Sequence, residues 1–232
     1  MRVLVGTSGF SYKEWIGSFY PEKTKAADML AYYAGQLPCV ELNNTFYRMP
    51  NAALVRGWGE RVPDDFRFVL KAPRSITHIR KLSDCAEPLA RFLEVAELLG
   101  PKLGPLLFQL PPQFRKDLPR LQAFLTLLPS ERQVAFEFRH PSWADADVHE
   151  ALRAAKVALC PSDVDDAPPP ELVPTAPFAY LRLRRSDYSD EELRAWAARI
   201  RAHAPTEVYV FMKHELKAPE LARKLNAELA AP

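Results

Sequence analysis

The 232 residues are 48% hydrophobic and carry 31 Lys and Arg against 29 Asp and Glu, a net charge of +2. This composition excludes wholesale disorder, and the even charge balance argues against a nucleic-acid coat protein or a polybasic membrane anchor. Three cysteines without CxxC spacing predict a reduced, cytoplasmic protein. The opening residues lack the apolar run of a signal peptide, and no run approaches the about 18 apolar residues that a membrane span needs.

Strand-like and helix-like segments alternate along the chain. Short runs rich in Val, Leu, Phe and Tyr predict eight strands: Val3–Ser8, Cys39–Phe46, Phe66–Ala72, Gly104–Leu110, Gln133–Arg139, Val157–Asp163, Phe178–Arg184 and Glu207–His214. Helical patterns cover Lys25–Gly35, Ala52–Glu60, Glu87–Leu99, Leu118–Leu128, Ala146–Ala155, Glu191–His203 and Pro219–Ala230. Ser189, followed by three acidic residues, predicts a cap at the start of the sixth of these helices.

The connection between the sixth and seventh strands differs from the others. It contains Pro168, Pro169 and Pro170 in a row, which predicts a loop because proline interrupts a helix. Eight strands with helices in the other gaps favour an α/β fold, a TIM-type (β/α)8 barrel that forms a single domain over residues 1–232. An open doubly wound sheet is the alternative, but the turn after the first strand lacks the GxGxxG and P-loop patterns.

Polar side chains collect near the carboxyl end of every predicted strand. Alternation along each strand puts them on the face opposite the apolar side chains. They are Ser8, Glu41, Asn43, Lys71, Gln109, Glu137, Arg139, Asp163, Arg182, Arg184 and Lys213. Since barrel active sites lie at this end of the strands, we expect a charged pocket there. Rim charges that merely pair with one another are the alternative interpretation.

Longer blocks of sequence follow one another in a characteristic order. They are Gly6–Tyr12, Glu14-Trp15, Gly17–Pro21, Val40–Tyr47, Phe66–Pro73, Leu103–Pro112 and Phe136–Trp143. Together they resemble the DUF72 family, also called YecE-like proteins, over nearly the whole chain. The resemblance implies a TIM-type barrel and supplies no reaction. The sequence departs from the family pattern at Phe10, at Arg184-Arg185 and at Lys213-His214.

The first functional hypothesis is metal-independent chemistry on, or binding of, a small polar or phosphorylated ligand such as a sugar phosphate or nucleotide. Glu41 and Glu137 would act as general acid and base, which requires pKa values moved toward neutral pH. Lys71 would hold a negative charge with Arg139, or form a Schiff base if burial lowers its pKa. The predicted ligand-binding residues are Ser8, Tyr12, Asn43, Tyr47, Gln109, Arg139, Trp143, Asp163, Arg182 and Lys213.

The second hypothesis is a divalent-metal isomerase or endonuclease-like barrel. Glu41, Glu137, Asp163 and His214 would be the ligands, because carboxylates with one histidine suit Mg²⁺ or Mn²⁺. The sequence has no HxH or HExxH spacing, and no motif identifies a cofactor.

The third hypothesis is a non-catalytic module that binds nucleotide or nucleic acid. Its basic cluster would be Arg182, Arg184 and Arg185. Aromatic side chains would stack on bases, and the candidates are Tyr12, Trp15, Tyr20, Tyr47 and Trp143.

Overall fold

The computed structural model describes residues 1–203, 205–213 and 216–230. Nine parallel strands lie in these residues: β1 (Arg2–Ser8), β2 (Cys39–Leu42), β3 (Arg67–Lys71), β4 (Leu103–Gln109), β5 (Val134–Glu137), β6 (Ala158–Leu159), β7 (Ser162–Asp163), β8 (Phe178–Leu183) and β9 (Glu207–Met212). Their order in the sheet is β6-β5-β4-β3-β2-β1-β9-β8-β7. The predicted α/β barrel of eight strand positions is thereby confirmed, with the sixth position divided between β6 and β7.

Helices cover the outside of the sheet. They are α1 (Met29–Ala34), α2 (Asn44–Tyr47), α3 (Ala52–Gly59), α4 (Ala86–Glu97), α5 (Leu118–Leu125), α6 (Ala146–Ala154), α7 (Asp190–His203) and α8 (Ala218–Ala230). Ser189 caps α7 as predicted: its hydroxyl accepts from the Glu192 N–H, and the Glu192 carboxylate accepts from the Ser189 N–H. Residues 164–177 form no helix, in agreement with their prolines. Within the described ranges, every helix is too short or too polar to cross a bilayer.

Proline explains why the sixth strand is divided. Pro161 has no N–H to give to a ladder, so the strand changes partner at this residue. The Cys160 N–H donates to the Phe136 carbonyl of β5, whereas the Pro161 carbonyl accepts from the Arg182 N–H of β8. The two-residue link Cys160-Pro161 therefore completes the ring of strands.

The sheet separates two apolar cores. The larger lies between the strands and the helices. The smaller fills the inside of the ring and consists of Leu4, Cys39, Val69, Leu107, Ala135, Ala158, Cys160, Phe178, Tyr180, Tyr209 and Phe211. Because side chains alternate along a strand, the residue two positions further on lies on the same inner face, one layer nearer the carboxyl ends. From Cys39, Val69, Leu107, Ala135 and Tyr180, that step leads to Glu41, Lys71, Gln109, Glu137 and Arg182.

Candidate functional site

A buried ion triad crosses the ring at this layer. Arg182 Nη2 lies 2.7 Å from Glu41 Oε1, and Arg182 Nη1 lies 2.6 Å from Glu137 Oε2. The three side chains are 2%, 0% and 1% exposed, respectively. Charged groups this deep are stable only when they are paired and hydrogen-bonded, so the arginine and the two carboxylates hold one another in place.

Glu41 is the most heavily hydrogen-bonded member of the triad. The Tyr180 hydroxyl donates to its Oε2 at 2.6 Å, and the Ser8 hydroxyl and Asn43 amide donate to its Oε1 at 2.8 and 3.2 Å. Burial acts to raise the pKa of Glu41, but Arg182 and the two hydroxyls outweigh it and lower the pKa below its usual value. The group is therefore a carboxylate at neutral pH.

Glu137 is held in the same way on the opposite side of the arginine. Its Oε1 accepts from Gln109 Nε2 at 2.9 Å and from Arg139 Nε at 3.0 Å. Burial again acts against the charge, but Arg182 and Arg139 lower the pKa of Glu137 to about 2. Neither carboxyl has the pKa near neutral pH that the acid–base hypothesis requires, so the described surroundings of Glu41 and Glu137 favour ion pairing over proton transfer.

Lys71 has a different environment from the carboxylates. Its Nζ donates to Gln109 Oε1 at 2.5 Å and lies 4.2 Å from the centre of the Phe46 ring. The residue is 9% exposed. Burial and the nearby charge of Arg182 lower the pKa of Lys71 to about 8, against the raising effect of Glu41 and Glu137. The pKa of the amine has therefore moved toward neutral pH, whereas those of Glu41 and Glu137 have moved away from it.

We call Ser8, Glu41, Asn43, Lys71, Gln109, Glu137, Arg139, Tyr180, Arg182 and Arg184 the mouth cluster. It holds four cations and two carboxylates. Arg139 is exposed and Arg184 is half-buried, and the guanidinium of Arg184 pairs with no acceptor in the described part of the chain. Burial and the charge of Arg182 lower the pKa of Arg184.

The second strand ends earlier than predicted, and this moves Tyr47 away from the cluster. The strand alternation stops at Leu42 because residues 44–47 form α2. Thr45 fixes this helix: its hydroxyl lies in donor position to the carbonyls of Leu42 and Lys71, at 3.1 and 2.7 Å. Phe46 consequently lies beside the Lys71 amine. Tyr47 is 77% exposed, so its predicted place in the charged pocket is wrong.

His78 is a neighbour of the cluster that the sequence analysis did not select. It lies in a π-helical turn, Ser75–Ile79, and its ring packs edge-on against Phe46 with centroids 4.8 Å apart. Burial and the charges of Lys71 and Arg74 lower the pKa of His78 to about 4. The ring is therefore neutral at pH 7. No spacing signal marks this residue, since the turn that positions it is irregular.

Tyr12 lies at the edge of the cluster beside Ser8. Its hydroxyl donates to the Ser8 carbonyl at 2.7 Å, and burial with the nearby Glu41 charge raises the pKa of Tyr12 to about 12. Gly9 makes this approach feasible: its φ is +97°, and a Cβ there would lie 2.3 Å from the Tyr12 hydroxyl oxygen.

Asp163 was expected in the pocket and lies outside the ring. Its oxygens accept from Arg185 Nε at 3.1 Å, the Tyr188 hydroxyl at 2.9 Å and Trp196 Nε1 at 3.3 Å, all from β8–α7. The reason is alternation itself: Ala158 and Cys160 point inward, so position 163 points outward.

Trp143 packs against other aromatic and backbone groups beside the mouth cluster, and for Lys213 the structure gives the position of its backbone. Trp143 is buried, stacks on Phe138 with ring centroids 4.6 Å apart and donates from Nε1 to the Phe114 carbonyl at 2.7 Å. Lys213 directly follows β9, and its backbone N–H donates to the Leu183 carbonyl.

The residues expected to bind nucleic acid do not form an exposed surface. Trp15, Tyr20 and Trp143 are buried, and Arg182 belongs to the ion triad. Arg185 is engaged by Asp163 and Glu192. Stacking by those three aromatic rings, as hypothesised, is therefore contradicted.

The proposed metal ligands are not brought together. Arg182 lies between Glu41 and Glu137, and Asp163 is on the outer side of the sheet. His214 lies outside the described residues. Across residues 1–203, 205–213 and 216–230, no three His, Cys, Asp or Glu side chains are grouped so that they could hold a metal ion.

Three cavities lie near the mouth cluster, and residues of the cluster line two of them. One of about 490 Å³ is lined by Phe46, Tyr47, Arg48 and Arg74 among others. A second, of about 390 Å³, is lined by Arg139, Trp143, Cys160 and neighbours, and a third of about 200 Å³ by Tyr12 and Asn43. Space for a small molecule thus adjoins the cluster.

Comparisons with known proteins agree with the fold. The sequence matches the family described as "Protein of unknown function DUF72" over residues 4–232. It is 34% identical to UPF0759 protein YecE of Escherichia coli (strain K12) over 142 residues, which are 61% of this chain and 50% of that protein. It is 28% identical to UPF0759 protein YunF of Bacillus subtilis (strain 168) over 156 residues, 64% of this chain and 54% of that one. The chain spans about half the length of the curated relatives it matches.

A solved structure is similar over its whole length. The crystal structure of a DUF72 family protein from Thermotoga maritima MSB8 has a TM-score of 0.88 and 28% identity, with 100% of both chains covered. The family match covers nearly every residue, and the arrangement of strands agrees with it. The chain therefore belongs to the DUF72 family.

Proposed function

We propose that the mouth cluster binds a small anionic ligand, with a phosphorylated compound such as a sugar phosphate as the best fit. The observation that carries this proposal is the excess of cations. The cluster has four cations and two carboxylates: Arg182 pairs with Glu41 and Glu137, and Arg139 also pairs with Glu137. Among the described residues, Lys71 and Arg184 form no ion pair with a carboxylate. A phosphate or carboxylate would complete this charge balance.

The guanidinium groups suit such a ligand in a further respect. Arginine donates two parallel N–H groups to a phosphate or carboxylate, and the half-buried position of Arg184 strengthens such contacts relative to bulk water. Among the described residues the guanidinium of Arg184 has no acceptor, and Arg139 lines a cavity of about 390 Å³. Phosphorylated sugars and mononucleotides are of a size that cavities of this order accommodate.

The test compares glycerol 3-phosphate with glycerol by isothermal titration calorimetry at low ionic strength. We expect binding of the phosphorylated compound only, and a loss on the order of 10-fold or more in affinity for Arg184→Gln. Arg194→Gln is the matched control, since Arg194 is exposed on α7. Equal affinity of the Arg184→Gln and Arg194→Gln variants, or no binding of any phosphorylated or carboxylated compound, would overturn the proposal.

A second candidate is a nucleotide or single-stranded nucleic acid at the 490 Å³ cavity. Tyr47 is 77% exposed there, and Arg48, Arg74, Arg80 and Arg91 line the same cavity. Exposed aromatic rings beside cations bind bases and phosphates together. A labelled oligonucleotide should bind in a salt-dependent manner and lose affinity in Tyr47→Ala, and absence of binding at low salt would remove this candidate.

A further inference from the structure

Lys71 carries the buried amine of the mouth cluster. Its hydrogen-bond partner is the neutral Gln109 amide, and within the described ranges its Nζ forms no ion pair. The two carboxylates nearest to it are already engaged by Arg182. Burial of an ammonium group without its own counter-ion costs hydration energy, and this lowers the pKa of the amine and enlarges its uncharged fraction.

Gln109 fixes how the amine is presented. Its Nε2 donates to Glu137 Oε1 at 2.9 Å, and because a carboxylate can only accept, the amide oxygen must point to Lys71. The uncharged amine would therefore donate one N–H to Gln109 and keep its lone pair available. The Phe46 ring, whose centre lies 4.2 Å from the amine, also lines the cavity of about 490 Å³.

Lys102 provides a contrast within the same chain. Its side chain is 14% exposed, but its Nζ lies 3.1 Å from Asp64 Oδ1 and donates to the carbonyls of Gly59 and Val62 at 2.8 and 2.9 Å. All of its N–H donors are satisfied by a carboxylate and two carbonyls, as expected of a structural lysine. Lys71 has no such set of acceptors, which indicates a chemical role for its amine.

We propose that Lys71 is a nucleophile that forms an imine with an aldehyde or ketone carrying a phosphate or carboxylate group. The inference rests on the proposed function, since Arg139 and Arg184 would hold the anionic group while the amine meets the carbonyl. The Nζ lone pair attacks the carbonyl carbon to form a C–N bond, and the carbonyl oxygen gains a proton. That oxygen then leaves as water with the two hydrogens that the nitrogen loses overall, and a C=N bond remains.

The surroundings of Lys71 favour this step in two ways. Burial, together with the charge of Arg182, holds part of the amine uncharged: a pKa of about 8 makes the uncharged fraction at pH 7.5 on the order of 100-fold larger than for an ordinary lysine. The neighbouring cations also attract the anionic end of the ligand and stabilise the negative charge that develops on the carbonyl oxygen during attack.

The experiment traps the imine in the full-length protein with sodium cyanoborohydride. Glyoxylate and glyceraldehyde 3-phosphate serve as anionic aldehydes and glycolaldehyde as the uncharged comparison. Intact mass measures the extent of labelling, and peptide mapping identifies the lysine. We expect the anionic aldehydes to label Lys71 at least about 10-fold faster than Lys102, with a rate that rises as the pH passes through about 8. Lys71→Arg should lose this adduct, and Lys102→Arg should keep it.

Labelling spread evenly over the exposed lysines, or equal labelling of Lys71→Arg and the wild-type protein, would overturn the inference. Peptide mapping of the wild-type protein gives this answer even if Lys71→Arg fails to fold. Glycerol 3-phosphate separates the two proposals because it has no carbonyl group. If it binds with the Arg184 dependence described above while Lys71 remains unlabelled, the anion site stands and the imine is refuted. If glycolaldehyde labels Lys71 as fast as glyoxylate, the anionic requirement is refuted.

Discussion

Replacing Arg182 by methionine tests how much the ion triad stabilises the fold. The change leaves Glu41 and Glu137 buried without their shared cation, for which we expect a loss of about 3–5 kcal/mol in the free energy of unfolding at pH 7. The pKa of Glu137 gives a similar magnitude. Its lowering from 4.5 to about 2 corresponds to roughly 3 kcal/mol, at about 1.4 kcal/mol for each tenfold change in proton affinity, and Arg182 is the largest contributor to that lowering.

The loss should depend on pH with a definite sign. In the wild-type protein the lowered pKa values mean that the carboxylates stabilise the fold above the unfolded-chain pKa of about 4.3, and this contribution disappears as the pH falls toward about 2. Without Arg182, burial should dominate and raise both pKa values, so that the variant gains stability as its carboxyls become protonated. The difference between wild type and variant should therefore shrink between pH 7 and pH 4.5.

Urea unfolding followed by tryptophan fluorescence at both pH values measures this difference. Arg91→Met is the matched control, because Arg91 and Glu87 also form an Arg–Glu pair, at 2.5 Å, but with side chains 73% and 74% exposed. Exposed pairs at this spacing contribute little, so its unfolding midpoint should hardly move. The reasoning fails if Arg182→Met costs no more than Arg91→Met at pH 7, or if its cost is the same at pH 4.5.

Three further substitutions probe the surroundings of the cluster. Asp163→Asn should lower the free energy of unfolding by about 1–3 kcal/mol and leave phosphate affinity unchanged, whereas a loss of affinity in calorimetry would contradict its placement outside the ring. Gly9→Ala should cost about 1–3 kcal/mol through its positive φ and the contact with Tyr12, and an unchanged melting temperature would argue against that geometry. Thr45→Val should cost about 1–2 kcal/mol by removing the hydroxyl that links Leu42 to the Lys71 carbonyl, and chemical denaturation measures it. A cost near zero would mean that α2 is held by packing alone.

Much of the mouth cluster could be predicted because a strand repeats every two residues. Glu41, Lys71, Gln109, Glu137 and Arg182 each stand two positions after an inward apolar residue, and the structure brings all five together. The same rule, applied to the sixth strand, would have placed its last aspartate outside. The prediction was wrong because a position at the end of the strand was taken as enough to place the side chain in the pocket. Alternation from the inward residues of the same strand gives the opposite face.

The positions of Tyr47 and His78 and the pairing of Arg182 could not be predicted from the local sequence pattern. Tyr47 left the pocket because a hydroxyl two residues earlier turned the chain into a helix, and strand propensity alone extends through that point. Arg182 joins carboxylates of β2 and β5 from β8, across the ring, so its pairing depends on the stagger of distant strands. His78 is positioned by a π-helical turn, which no simple periodicity identifies.

The division of the sixth strand has a consequence for how the barrel opens. β1 and β9 are aligned over six residue pairs, whereas the β5–β6 and β7–β8 contacts comprise two pairs each. The β1–β2 contact also comprises two pairs, but β6 and β7 are each only two residues long. At the sixth strand the barrel is closed by the covalent link Cys160-Pro161 more than by hydrogen bonds. Thermal fluctuations can therefore separate β6 from β5, or β7 from β8, while the other strands stay paired. The amide hydrogens of Cys160 and Arg182 should then exchange with deuterated solvent before those in the middle of β1. We therefore expect local unfolding of the barrel to begin at the sixth strand.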